Sequence, residues 1–158
     1  MRHRARLAML ALFCALGASV ARAQTEPDRQ AVLGVVKRLF DGMRQSDSAM
    51  IRSTLHPRAL LATAVVRLGR PGIELDSVDA FLTAVASPHD SVWDERISNE
   101  RVHLDGTLAV VWAEYHFYVG SRLNHCGVDA FTLAKEAETW RIIALADTRR
   151  RRPCAGEH

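Results

Sequence analysis

No phosphate-cradling glycine loop, no paired-cysteine motif and no nucleophile elbow occurs in the 158 residues. Their absence argues against nucleotide hydrolysis, a structural zinc site and serine-hydrolase chemistry. No repeat, linker or low-complexity block divides the chain, which suits one domain around one core. Cysteine is scarce, at three residues. The longest apolar run, Leu7 to Val20, falls short of the roughly 20 residues that span a bilayer.

That run lies in an N-terminal pattern of its own. Arg2, Arg4 and Arg6 precede it, and "ARAQ" follows with Ala21 and Ala23 at the small-residue positions of a cleavage site. The pattern predicts a signal peptide over 1–23, leaving a single domain over 24–158 that is periplasmic or secreted, with no membrane association once cleaved. A retained N-terminal anchor is the alternative. Phe13 before Cys14 is too bulky for a lipid-attachment site. Four arginines leave with residues 1–23 and no acid does, so the net charge moves from +3 to −1. The basic balance therefore belongs to the precursor and gives no argument for a nucleic-acid partner.

Cleavage leaves two cysteines, Cys126 and Cys154. In an oxidising compartment they are expected to bridge, tying the tail to a strand at a gain on the order of 3 kcal/mol. Two unpaired thiols are the alternative.

Helical spacing of Val32, Val35, Val36, Leu39, Phe40 and Met43 predicts a helix over 27–44. A short helix follows, capped by Ser46 or Asp47 and stopped at Pro57. Residues 59–68 read as a strand, "GRPG" as a turn and 73–75 as a return strand; Ser77 caps a helix over Val78–Ala86. From Val92 onward long strands alternate with short turns, of which Asp105-Gly106 is the strongest hairpin element. Helices segregated onto an antiparallel sheet define the α+β class.

This order of elements, together with "HCGVDAFTL", "WRI", "ADTRR" and a closing cysteine, resembles the nuclear transport factor 2-like superfamily, in its SnoaL-like or lumazine-binding-like bacterial branch. The resemblance spans most of 27–154 and is most specific over 112–154. It implies a cone-shaped curved sheet wrapped by three N-terminal helices, an internal pocket and often a homodimer. Relatives include isomerases, dehydratases, cyclases and plain binding domains, and no catalytic motif carries over position by position. Fold alone does not assign activity.

Strand alternation suggests a site. Trp112, Glu114, His116 and Tyr118 share one face of their strand. A turn of two or four loop residues after Val119 puts His125, Gly127, Asp129 and Phe131 on that same face; a three-residue loop or a bulge would swap them. On the shared-face reading, His116 or His125 with Glu114 or Asp129 forms a catalytic acid-base pair. Trp112, Tyr118 and Phe131 then wall a ligand pocket, and Gly127 leaves room above the sheet. The bland alternative is a solvated strand face, or His125 and Asp129 satisfying one another. Arg149 is a candidate anion-binding rim, or a partner for Asp147. His116, His125 and a carboxylate lack metal-ligand spacing, so neither metal nor cofactor is expected. His56, His89 and His103 are expected at the surface, and Trp93 and Trp140 in core or rim packing. The partner implied is a partly apolar small molecule. The rivals to simple binding are an isomerase, dehydratase or cyclase, and a dimeric interaction module without ligand.

Overall fold

The computed structural model describes residues 26–151 and 154. The segment read as a signal peptide lies outside them.

Helix α1 spans 26–45. It buries Val32, Val36, Leu39, Phe40 and Met43, the stripe set by its 3.6-residue period. A short helix, α2 (Ser48–Arg52), follows. The Asp47 carboxylate caps it by accepting from the Met50 N–H at 2.8 Å. Gly42 lets the two helices close up, since a Cβ there would lie 2.6 Å from the Ile51 side chain.

Strand β1 (Leu55–Arg67) begins before Pro57, earlier than expected. Proline stops a helix but is tolerated in the opening residues of a strand. Strand β2 (Arg70–Asp76) returns antiparallel to β1 and is exposed along its whole length. Helix α3 (Val78–Ala86) has the expected limits, and the Ser77 hydroxyl accepts from the Ala80 N–H at 3.0 Å. It buries Val78, Leu82 and Val85.

Four long strands complete the chain: β3 (Trp93–Asp105), β4 (Leu108–Val119), β5 (Arg122–Glu136) and β6 (Thr139–Thr148). They join β1 and β2 in one six-stranded sheet of order β2-β1-β6-β5-β4-β3. Every pairing is antiparallel except β1 with β6. That parallel pair closes the sheet between the first and last strands, which no tight turn could connect.

The sheet has four register irregularities, one of them between Leu55 and Leu60 in the β1–β6 pairing; the other three are single-residue bulges. The β3–β4 register shifts across Asn99 and Glu100, the β4–β5 register at Asn124, and the β5–β6 register at Ile143. Each inserts one residue in one strand, which bends it and raises its twist. The concave side curls around α1 and α3, and Val111, Phe131, Leu133 and Ile142 from the sheet meet the helices there, all fully buried. Burying a side chain of this size contributes roughly 1.5–3 kcal/mol. Phe131 meets Phe40 edge-on, ring centres 6.0 Å apart.

Cys126 and Cys154 form a disulfide, and Cys126 also exchanges both backbone hydrogen bonds with Arg150.

Candidate functional site: an acid-lined cavity under the helices

Residues directly opposed in neighbouring strands share a sheet face. Phe117 opposes His125, Tyr115 opposes Gly127, and Ala113 opposes Asp129. On the flanks Glu95 opposes Phe117, and Asp147 opposes both Asp129 and Thr63. All of these therefore look to the concave side. Between them and the helices lies a cavity of about 340 Å³, walled by Leu39, Phe40, Met43, Phe81, Trp93 and Phe117. Glu95, His125, Asp129, Asp147 and Arg149 line its polar end. A second lobe, also of about 340 Å³, runs under β1 and β2 and shares Asp76, Phe81, Leu145, Asp147 and Arg149 with the first.

The strand parity expected from sequence is corrected here. The turn after Val119 does have two residues, since Val119 opposes Arg122. The extra residue Asn124 then displaces the register by one, so His125, Asp129 and Phe131 lie with the odd-numbered residues of β4. Trp112, Glu114, His116 and Tyr118 lie on the opposite, convex face. Trp112 is half exposed, Glu114 accepts from the Asn99 side chain at 3.2 Å, and the Arg96 guanidinium sits 4.5 Å over the Tyr118 ring. His116 opposes Cys126. His116 and Glu114 therefore do not join His125 and Asp129 in one site, and Trp112 and Tyr118 do not wall the cavity. Phe131 faces inward but is wholly buried beneath Phe40. Gly127 gives no room to a ligand: a Cβ there would fall 1.8 Å from the Thr148 carbonyl oxygen and 2.7 Å from the Tyr115 ring. His89 is packed rather than at the surface, its ring stacked 3.9 Å from that of Trp93.

Asp147 organises one side of the polar end. Its carboxylate accepts from the Thr63 hydroxyl at 2.6 Å, from the Arg149 Nε at 2.7 Å and from the Tyr115 hydroxyl at 3.3 Å. Tyr115 also donates to the Thr148 carbonyl at 2.9 Å. Burial pushes the Tyr115 phenol well above its usual range, and the charge of Asp147 adds to this. Arg149 is thus committed to Asp147, the pairing weighed against an anion rim.

Glu95 and Asp129 form the other side, their carboxyl groups lining the same cavity and each perturbing the other. Two neighbouring carboxyl groups disfavour one another's charge, which favours protonation at such a site. Burial pushes the Glu95 carboxyl up to about 7, opposed by its bond to Asp129. Burial also raises Asp129 far above the carboxylate range, followed by the charge of Glu95 and the bond to it. Both carboxyls are thus pushed toward their neutral forms, Asp129 the more strongly. Asp129 is 2% exposed, and its Oδ2 has no hydrogen-bond partner. An unpartnered oxygen is tolerable on a neutral acid and very costly on a buried carboxylate. His125 is lowered by burial first and by Arg149 second, so its imidazole is held neutral. Among the described residues no group of His, Cys, Asp and Glu has the arrangement of a metal site.

Glu95 and Thr63 were not singled out in the sequence, and Asp147 was weighed only as a partner for Arg149. No local motif marks Glu95. Its inward direction depends on the bulge at Asn99 and Glu100, which reverses the parity of the β3 residues before it.

A curved six-stranded sheet closed over helices, with a cavity between, defines the nuclear transport factor 2-like class, and solved structures agree. A nuclear transport factor 2-like protein with a cystatin-like fold from Novosphingobium aromaticivorans superposes with a TM-score of 0.69 at 11% identity, covering 86% of this chain and 90% of that one. One from Salmonella enterica serovar Typhimurium gives 0.64 at 16% identity, covering 85% and 99%. One of unknown function from Silicibacter pomeroyi gives 0.63 at 19% identity, covering 80% and 98%. At these identities the likeness concerns the fold alone. The chain belongs to the family described as "Putative lumazine-binding", whose model matches residues 27–146. No curated protein matches it.

Proposed function

We propose that the chain is an exported small-molecule-binding domain whose ligand sits between the concave sheet and helices α1 and α3. The observation that carries this reading is the cavity of about 340 Å³, apolar along Leu39, Phe40, Phe81 and Phe117 and polar at the Glu95 end. Apolar walls with a few converging polar groups are the usual make-up of a ligand pocket. Export is supported by the 1–23 pattern and by the disulfide, which belongs to oxidising compartments. A cavity of this size speaks against an interaction module with a filled interior.

Fluorescence titration with Nile red, a neutral apolar dye, tests the pocket. The mature chain should bind it with a blue shift. Ala84→Trp, which places an indole over the cavity from α3, should remove most of that binding while the circular dichroism stays unchanged. Undiminished binding by a folded Ala84→Trp protein overturns the assignment to this cavity.

A second reading is favoured by one observation, the Glu95 carboxyl with a midpoint near neutrality beside the apolar walls. A general base works best with its pKa near the operating pH. In this reading the cavity is the site of an isomerase, dehydratase or cyclase, with Asp129 and His125 beside Glu95. Replacing His125 and Asp129 by alanine separates the two: a catalyst keeps binding and loses turnover, whereas a binder loses affinity only.

A further inference from the structure

Seen from the cavity, the charges do not balance. The helices contribute Leu39, Phe40, Met43, Phe81 and Ala84, none of them titratable. The titratable groups come from the sheet and the segment after it: Asp76 from β2, Glu95 from β3, Tyr115 behind them on β4, His125 and Asp129 from β5, Asp147 from β6 and Arg149 just beyond its end. The Arg149 guanidinium is bound to Asp147 at 2.7 Å. Burial disfavours the charged forms of Tyr115, His125 and Asp129. Neither Glu95 nor Asp76 has a basic side chain within ion-pair distance among the described residues. Beside them Asp129, nine-tenths buried, keeps an oxygen with no donor. The polar end therefore has acceptors and negative charge to spare, and lacks donors and positive charge.

We propose that the cavity takes an organic cation, with a ring system among Phe40, Phe81, Trp93 and Phe117 and a protonated nitrogen group, ammonium or amidinium, donating to the Glu95–Asp129 pair. The proposal rests on the pocket reading above and specifies its ligand. A cation with N–H donors supplies what each unsatisfied group lacks: charge for Glu95 and a hydrogen bond for the spare oxygen of Asp129. Aromatic walls favour the same sign, since the ring faces are electronegative. The anion rim weighed as an alternative at Arg149 is disfavoured because a bound anion would have to displace Asp147 and sit beside Glu95.

Binding is then coupled to a proton. The cation prefers the charged form of Glu95, so affinity rises with pH through about 7 and levels off above it. Well below the midpoint it falls about tenfold per pH unit.

Three probes of one shape decide the matter: 2-naphthamidine, 2-naphthamide and 2-naphthoate, titrated into the mature chain by calorimetry at pH 5.5 and 8. The amidine should bind at least tenfold tighter than the naphthoate at pH 8, with the amide between them. Its advantage over the amide should shrink at least tenfold at pH 5.5. Glu95→Gln should abolish that advantage at pH 8. Because the pH series uses the wild-type chain, it decides even where the variant folds poorly. Equal or tighter binding of the naphthoate overturns the proposal, as does equal binding of all three. Failure of all three probes while Nile red still binds sinks the cation reading and leaves the pocket; failure of the dye as well sinks the pocket.

Discussion

Glu95 on β3 and Asp129 on β5 face one cavity across the intervening strand β4, where burial raises both carboxyls. Because the folded chain then holds protons that an unfolded chain has lost near neutrality, the pair makes stability depend on pH. Both carboxyls titrate higher when folded, so the folded chain carries more protons between about pH 4 and 7. The stability tied to Glu95 is thus fully present below about pH 4 and is lost as pH rises through 7. The full loss is on the order of 3 kcal/mol, most of it between about pH 5 and 7.5. Urea unfolding at pH 5 and pH 7.5 should show Glu95→Gln gaining on the wild type by that order at the higher pH. Parallel pH profiles for the two proteins would refute the raised Glu95 carboxyl.

Asn99 sits at the β3 bulge with a left-handed backbone, φ 55°. Asparagine visits that region with little strain, whereas a β-branched residue does so at roughly 1–2 kcal/mol. Asn99→Val should cost about that much stability, and Asn99→Gly well under 1 kcal/mol. Equal losses for both variants would mean that the side-chain bond to Glu114, and not the backbone, keeps Asn99 in place.

The elements were legible in the sequence where periodicity is long or chemistry is local. The α1 stripe, the Ser77 cap, the Asp105-Gly106 hairpin and the two-residue turn after Val119 all lie where residue order sets them. Which side each strand presents was not legible, because a bulge adds one residue without a composition that marks it. Asn124 reverses β5 against β4, which parted His125 and Asp129 from His116 and Glu114. The bulge at Asn99 and Glu100 does the same to β3: carried unbroken from Asp105 opposite Leu108, the register would set Glu95 beside Tyr118 on the convex face. Asp129 was recognisable as a candidate by its residue type, but its partner was hidden behind two such shifts.

Gly127 connects the disulfide strand to the cavity. Any Cβ there collides with the Thr148 carbonyl, which also receives the Tyr115 hydroxyl, so the end of β6 would have to move. Asp147 and Arg149, on either side of Thr148, would move with it. Gly127→Ala should destabilise the chain by about 3 kcal/mol or more, at the upper end of overpacking costs. It should also weaken Nile red binding at temperatures where the variant remains folded. A fully stable Gly127→Ala protein would show that the β6 terminus yields more readily than this packing implies.

The disulfide should affect stability and leave the cavity alone. Cys126 is an even-numbered residue of β5 and points to the convex face, while its neighbours His125 and Gly127 point inward. The bridge closes a loop of sequence separation 28, for which the chain-entropy estimate is roughly 3 kcal/mol. Replacing both cysteines by serine should therefore lower the unfolding free energy by about 2–4 kcal/mol. Below the unfolding transition the affinity for Nile red should change less than twofold, because no cavity wall has been altered. Reduction of the wild type with dithiothreitol should reproduce both results. A large loss of dye affinity in the folded double variant would place the β5–tail junction in control of the cavity, contrary to the division of faces that the Asn124 bulge creates.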